Sequence, residues 1–261
     1  MCILIAEDAF KKLFMRIILF LFVVTIFFCA CEKAADTASA SAATASGKGG
    51  SLARFTIVGN HLYLADINTL KIFDITNPQN ATQLGSINMN FGVETIFPYK
   101  DKLFIGSIDG MYIYSIANPA QPVLLSQARH VRSCDPVVAN DSTAFVTLLG
   151  GQPCGAVDEG LYIYNVSNLI SPLLIKKYLM PTPRGLGLAD SILYVCQKNN
   201  GLSIFNVSVP ATPLLRKKIT THIFEDVIPY NKLLICYIST GLVLYDITNP
   251  TDPVQVALIN N

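Results

Sequence analysis

Phe73–Gln83, FDITNPQNATQ, returns near the end of the chain as Tyr245–Gln255, YDITNPTDPVQ. Three further variants stand between them: YIYSIANP from Tyr112, YIYNVSNL from Tyr162 and SIFNVSVP from Ser203. The shared aromatic falls at Phe73, Tyr114, Tyr164, Phe205 and Tyr245, so the spacings are 41, 50, 41 and 40 residues. Self-similarity at a nearly fixed period of this size marks a repeat protein whose unit is one supersecondary element.

Each unit reads as four short strands, labelled a to d. In the second they are VETIF, KLFIGS, MYIYSI and PVLLSQA, separated by Gly, Asn, Asp and Pro clusters that make turns. In strand c an aliphatic residue (Ile72, Ile113, Ile163, Ile204, Leu244) always precedes the aromatic. Both faces of that strand are therefore apolar, as in a sheet covered on both sides. Four strands per period of about 40 residues predict an all-β fold, a five-bladed β-propeller of four-stranded antiparallel blades. A β-sandwich would not explain five copies in one register. Asn77, Asn118 and Asn249, each before a proline, belong to the turn that ends strand c. With every blade complete in itself, no strand is exchanged to close the ring, and closure is expected from packing between the first and last blades.

The units LYLADINTLKIFDITNP from Leu62, LFIGSIDGMYIYSIANP from Leu103, LYVCQKNNGLSIFNVSVP from Leu193 and LLICYISTGLVLYDITNP from Leu233 resemble the LVIVD-repeat family. The resemblance covers Leu52 to Asn261. It implies a β-propeller of a kind found in exported bacterial proteins, often lipoproteins, and it supplies no catalytic residues. Leu169 in place of proline and the long third repeat depart from the pattern.

Lys11, Lys12 and Arg16 precede the apolar run Ile17–Phe28, which is shorter than the roughly 20 residues that span a membrane. Residues 1–30 read as a signal peptide, with Met15 as an alternative start. The run ends in FFCACEK, which resembles a bacterial lipoprotein box: Cys31 follows the small Ala30 and is the expected lipid acceptor, with Phe28 in place of the usual leucine. An ordinary cleaved signal without lipid is the alternative. Residues 31–51 then form an Ala/Ser/Thr/Gly tether with a reach of about 20 Å, and residues 52–261 form the propeller. The expected address is the bacterial cell envelope, with a lipid anchor in the outer membrane and the propeller periplasmic or surface-exposed.

Of the 19 basic and 18 acidic residues, the leader takes Lys11, Lys12, Arg16, Glu7 and Asp8, so the remainder is formally neutral. Without a basic stripe, nucleic acid is not an expected partner. The chain has no HExxH, GxSxG or phosphate-loop motif and no Cys/His zinc spacing.

Aligning strand a places Ala53, Glu94, Asp135, Arg184 and Glu225 at equivalent positions near its start. In a propeller this strand lines the central channel, so the charged members would meet at one mouth. Two readings follow: a polar funnel for a cation, a cationic group or a small polar ligand, or a hydrated rim of ordinary ion pairs. No cofactor is evident; a cation at the mouth belongs to the first reading. His130, Arg132 and His222 lie in the adjoining d to a connections. The extra residues of the third repeat fall in LLGGQPCGAVDEG, Leu148–Gly160, between strands b and c on the same face. Cys154 in that insertion and Cys134 at the start of strand a form a candidate disulfide, with two free thiols as the alternative. Cys196 and Cys236 are expected as buried free thiols at equivalent places at the end of strand b. The scaffold, the tether and the decorated loop face together point to a non-enzymatic binding scaffold taking a protein or small ligand on its upper loop face. An envelope assembly factor and a glycan-active enzyme using the mouth carboxylates are the alternatives.

Overall fold

The computed structural model describes residues 49–89, 92–129, 136–150 and 158–261. Among them every regular element is a strand, and the strands form five antiparallel sheets of four, each consecutive in sequence. Blade one is β1 (Phe55–Val58), β2 (His61–Asp66), β3 (Thr69–Asp74) and β4 (Thr82–Asn88). Blade two is β5 (Val93–Tyr99), β6 (Lys102–Ser107), β7 (Gly110–Ser115) and β8 (Val123–Arg129). Blade three is β9 (Val137–Ala139), β10 (Thr143–Leu148), β11 (Gly160–Asn165) and β12 (Leu173–Leu179). Blade four is β13 (Pro183–Ala189), β14 (Ile192–Gln197), β15 (Gly201–Asn206) and β16 (Leu214–Ile219). Blade five is β17 (Phe224–Tyr230), β18 (Leu233–Ile238), β19 (Gly241–Asp246) and β20 (Val254–Asn260). This is the five-bladed propeller that the repeats predict, without strand exchange.

The repeated phrase is two consecutive side-chain turns. In the first, Asp74 Oδ1 accepts the Thr76 N–H at 2.7 Å, and Ser115, Asn165, Asn206 and Asp246 accept the N–H two residues on in the same way. In the second, Asn77, Asn168 and Asn249 accept the N–H of Gln79, Ile170 and Thr251. Each cap satisfies a backbone donor that the end of strand c would leave open.

The same turns receive the neighbouring blade. Tyr63 Oη donates to the Pro119 carbonyl and Tyr194 Oη to the Pro250 carbonyl, both at 2.8 Å, while Ser126 Oγ reaches the Leu169 carbonyl. Apolar cores fill four junctions. Tyr63, Ile72, Ile96 and Ile105 lie between blades one and two, Phe104, Ile113, Val137 and Val146 between two and three, Phe145, Ile163, Leu193 and Phe205 between three and four, and Tyr194, Ile204, Leu234 and Tyr245 between four and five.

The fifth junction differs from expectation. Among the described residues no core cluster joins blade five to blade one. Phe55 of blade one is 58% exposed, and Tyr237 and Leu242, paired across β18 and β19 of blade five, are 52% and 37% exposed. Strand c is accordingly buried on both faces in blades two, three and four, and on one face in blades one and five. What ties the first residues to the far side of the ring is polar. Ser51 Oγ donates to Asp226 Oδ1 at 3.1 Å and accepts the Leu186 N–H at 2.7 Å, and the Leu52 N–H reaches Asp226 Oδ2 at 3.4 Å. Gly50 and Gly185 both lie flush against Asp226, where an added Cβ would stand 2.0 and 2.1 Å from its carboxylate oxygens. Only glycine permits this approach.

The two cysteines of blades four and five are buried and free, as expected, but they are not equivalent. Cys196 pairs with Leu202 whereas Cys236 pairs with Val243, and both belong to the core between blades four and five, facing it from opposite sides. The b to c turn of blade four, Lys198–Asn200, is one residue longer than Ser239–Thr240 of blade five. A one-residue offset exchanges the two faces of a strand.

Candidate functional site

Strand a begins at what we term the upper mouth of the channel and ends at the lower. In blades two, four and five its pairing with strand b slips by a bulge at the start: between Val93 and Thr95, between Pro183 and Leu186, and between Phe224 and Asp226. The slip holds Glu94 in blade two, Arg184 with Gly185 in blade four, and Glu225 in blade five. A bulge re-aims a side chain out of the alternating pattern of its strand. Three charged residues aligned by sequence thus share one local backbone feature.

Glu94 and Arg184 line a single cavity of about 220 Å³, together with Leu52, Arg54, Thr95, Pro136, Leu149 and Pro183. Arg184 Nε lies 3.7 Å from Glu225 Oε2, an ion pair too long to be a hydrogen bond, and that nitrogen is shielded from solvent without a hydrogen-bond partner. About a third of the Arg184 side chain remains exposed. Its backbone is fixed from both sides. Thr147 Oγ1, fully buried in β10, donates to the Arg184 carbonyl at 2.7 Å. Ser203 Oγ donates to Gln197 Oε1, and Gln197 Nε2 donates to the Pro181 carbonyl at 3.0 Å, which holds the turn leading into β13. These buried polar groups are satisfied by one another, which makes the entry to the strand rigid.

Sequence alignment missed Arg54. It aligned Ala53, whose carbonyl instead accepts the Ile96 N–H from blade two, and the next residue joins the cavity. It also missed Asp226, whose carboxyl burial pushes above the usual range against the pull of the Val227, Ser51 and Leu52 donors. The signal for Asp226 was the Gly-Gly-Ser stretch at 49–51, read only as tether. His222 is not among the cavity residues: its ring packs edge-on against Phe224 at 5.9 Å, with Nε2 3.5 Å from Gln255 Oε1 on β20. Asp135, His130, Arg132, Cys134, Cys154 and Cys31 lie outside the described residues. Of the third-repeat insertion, the described ends reach this face. Leu149 lines the cavity, and Glu159 accepts the Gly150 N–H at 3.2 Å and the Thr182 N–H at 2.9 Å, tying the insertion to the entry of blade four. Among the described residues no group of three or more His, Cys, Asp or Glu is placed to hold a metal ion. The cavity offers two guanidinium and two carboxylate side chains at its wall or edge, a balanced set that can pair with either sign of charge on a ligand.

A family model described as LVIVD repeat matches residues 49–89 and 190–221, covering blade one and β14 to β16 of blade four. The chain carries LVIVD repeats in those two stretches and is a five-bladed propeller. No curated protein sequence matches it. Among solved structures, the chain is similar to a protein from Lactobacillus plantarum at 14% identity and TM-score 0.61, over 77% of this chain and 72% of that one. It is similar to the periplasmic gluconolactonase PpgL of Pseudomonas aeruginosa at 12% identity and TM-score 0.61, over 77% and 68%. Apo AztD from Citrobacter koseri matches at 11% identity and TM-score 0.56, over 77% of this chain and 60% of its own, so the chain spans about three fifths of AztD. At these identities the likeness is one of fold.

Proposed function

We propose that this chain is a non-enzymatic, lipid-anchored protein of the bacterial cell envelope whose propeller captures a protein or a small polar ligand on its upper face. The observation that carries the reading is the shared bulge that sets Glu94, Arg184 and Glu225 at the start of strand a in three blades. Bulges of this kind are over-represented beside functional sites. The anchor is the Cys31 thiol, and the Ala/Ser/Thr-rich residues that follow it, up to 48, give the propeller reach from the membrane. Arg184 supplies a guanidinium for a carboxylate or phosphate on the ligand, and Glu94 and Glu225 supply acceptors for its donors or a bound cation.

In-cell cross-linking of the tagged full-length protein tests this, with Arg184→Ala/Glu225→Ala as the comparison. A partner or ligand retained by the wild type and lost by the double variant supports the upper-face reading, and equal retention contradicts it. Capture that survives Glu94→Ala/Glu225→Ala while turnover of envelope glycans is lost would instead make the protein an enzyme.

A further inference from the structure

The opposite end of the channel holds a second cavity, of about 350 Å³. It lies where strands a of blades two to five end, and it shares no lining residue with the upper cavity. Its wall is largely apolar, with Phe97, Leu188 and the ring of Pro229 among its residues. Prolines contribute no N–H to such a wall, so its polarity is concentrated at Tyr99, Asn140 and Asp190 where the a to b hairpins turn. Asp190 is the single formally charged residue in the lining. Its carboxylate has no ion-pair partner among the described residues, whereas the neighbouring Lys100 is already paired with Asp141. The size falls at the small end of ligand pockets, which run from about 300 Å³, and the pattern of an apolar body with a few placed polar groups is theirs.

We propose that the lower mouth is a binding site for a small aromatic amine, its ring against Phe97, Leu188 and Pro229 and its ammonium at the Asp190 carboxylate. A cation is selected because the lone charge of the lining is negative and because the Phe97 ring is attractive to cations; the Tyr99 ring already carries the Lys100 ammonium at 5.4 Å. This site does not depend on the upper-face reading.

Tryptamine is a suitable probe, because the chain contains no tryptophan and the indole emission is read without background. Titration of the full mature protein, followed by fluorescence anisotropy, is expected to saturate. Indole-3-propionate, with the same ring and the opposite charge, is expected to bind about three- to fivefold more weakly, because Asp190 is exposed. Asp190→Asn should bring the two ligands to the same affinity. Asp190 sits at φ 50°, a conformation that asparagine adopts readily, so this variant keeps its hairpin. Arg184→Ala/Glu225→Ala should leave tryptamine binding unchanged, which separates this site from the upper one. Tryptamine binding that does not saturate, equal affinity for the two ligands in the wild type, or a preference that survives Asp190→Asn would overturn the proposal.

Discussion

Replacing Tyr194 by Phe removes one oxygen from the junction between blades four and five and changes nothing else in its shape. Tyr194 is fully buried, and its hydroxyl donates to the Pro250 carbonyl at 2.8 Å, across 56 residues of sequence. Burial pushes the phenol up, so it is a donor throughout the accessible pH range. Phe leaves the carbonyl of the half-buried Pro250 without that partner, and the loss is about 1 to 2 kcal/mol. For a domain of this size that corresponds to a fall in Tm of about 2 to 8 °C. Urea unfolding followed by circular dichroism should show a lower midpoint at unchanged slope, since the surface exposed on unfolding is the same. Tyr63→Phe is an internal replicate, because Tyr63 makes the same bond to Pro119 between blades one and two. The two sites share no partner, so the double variant should lose the sum of the single losses to within about 0.5 kcal/mol. A change below about 0.3 kcal/mol in either variant would mean that these bonds do not hold the blades together.

Other expectations follow from the same geometry. Asp226 has a folded-state pKa raised by burial, so its contribution to stability is full below the unfolded value near 3.8 and is lost as pH rises through the folded value. Lowering pH from 7 toward 4 should therefore stabilise the wild type relative to Asp226→Asn in urea titrations, and parallel pH profiles would contradict this. Leu202→Ala, at a fully buried site facing blade five, should cost about 2 to 5 kcal/mol, whereas Leu242→Ala, 37% exposed on the outer face of blade five, should cost less than about 1 kcal/mol. Equal costs would mean that the outer face of blade five is sealed. Burial raises both the Cys196 and Cys236 thiols, so neither should react with iodoacetamide, mapped by peptide mass, until the chain is unfolded.

The blades were legible because the DITNP phrase encodes its own structure: the first side-chain turn recurs in all five repeats, a second turn or a proline follows it, and an apolar c strand precedes it. Register was less legible. The equivalence drawn between Cys196 and Cys236 failed on one extra residue in a hairpin, a change too small to disturb a repeat alignment but enough to turn a side chain to the other face. The charged residues of the upper mouth were found by alignment, yet the bulge that presents them is a property of pairing between two strands and is written in neither alone. Arg54 was missed because blade one was aligned at Ala53, one residue short of the side chain that enters the cavity. The Ser51–Asp226–Leu186 link joins residues 135 and 175 apart, and no local pattern announces such a contact.

The lower cavity was equally hidden. Its aromatic, proline and carboxylate residues come from the ends of strands in different blades, where each taken singly reads as an ordinary strand or hairpin residue.

The tethered-scaffold account is tested most directly by the intact mass and N-terminal sequence of the protein recovered from the membrane fraction of its native cells. The account predicts a mature chain that begins at Cys31, carries the mass of a diacylglyceryl group, and moves to the soluble envelope fraction when Cys31 is replaced by Ala. A mature chain that begins elsewhere, or one with an unmodified Cys31, would contradict it.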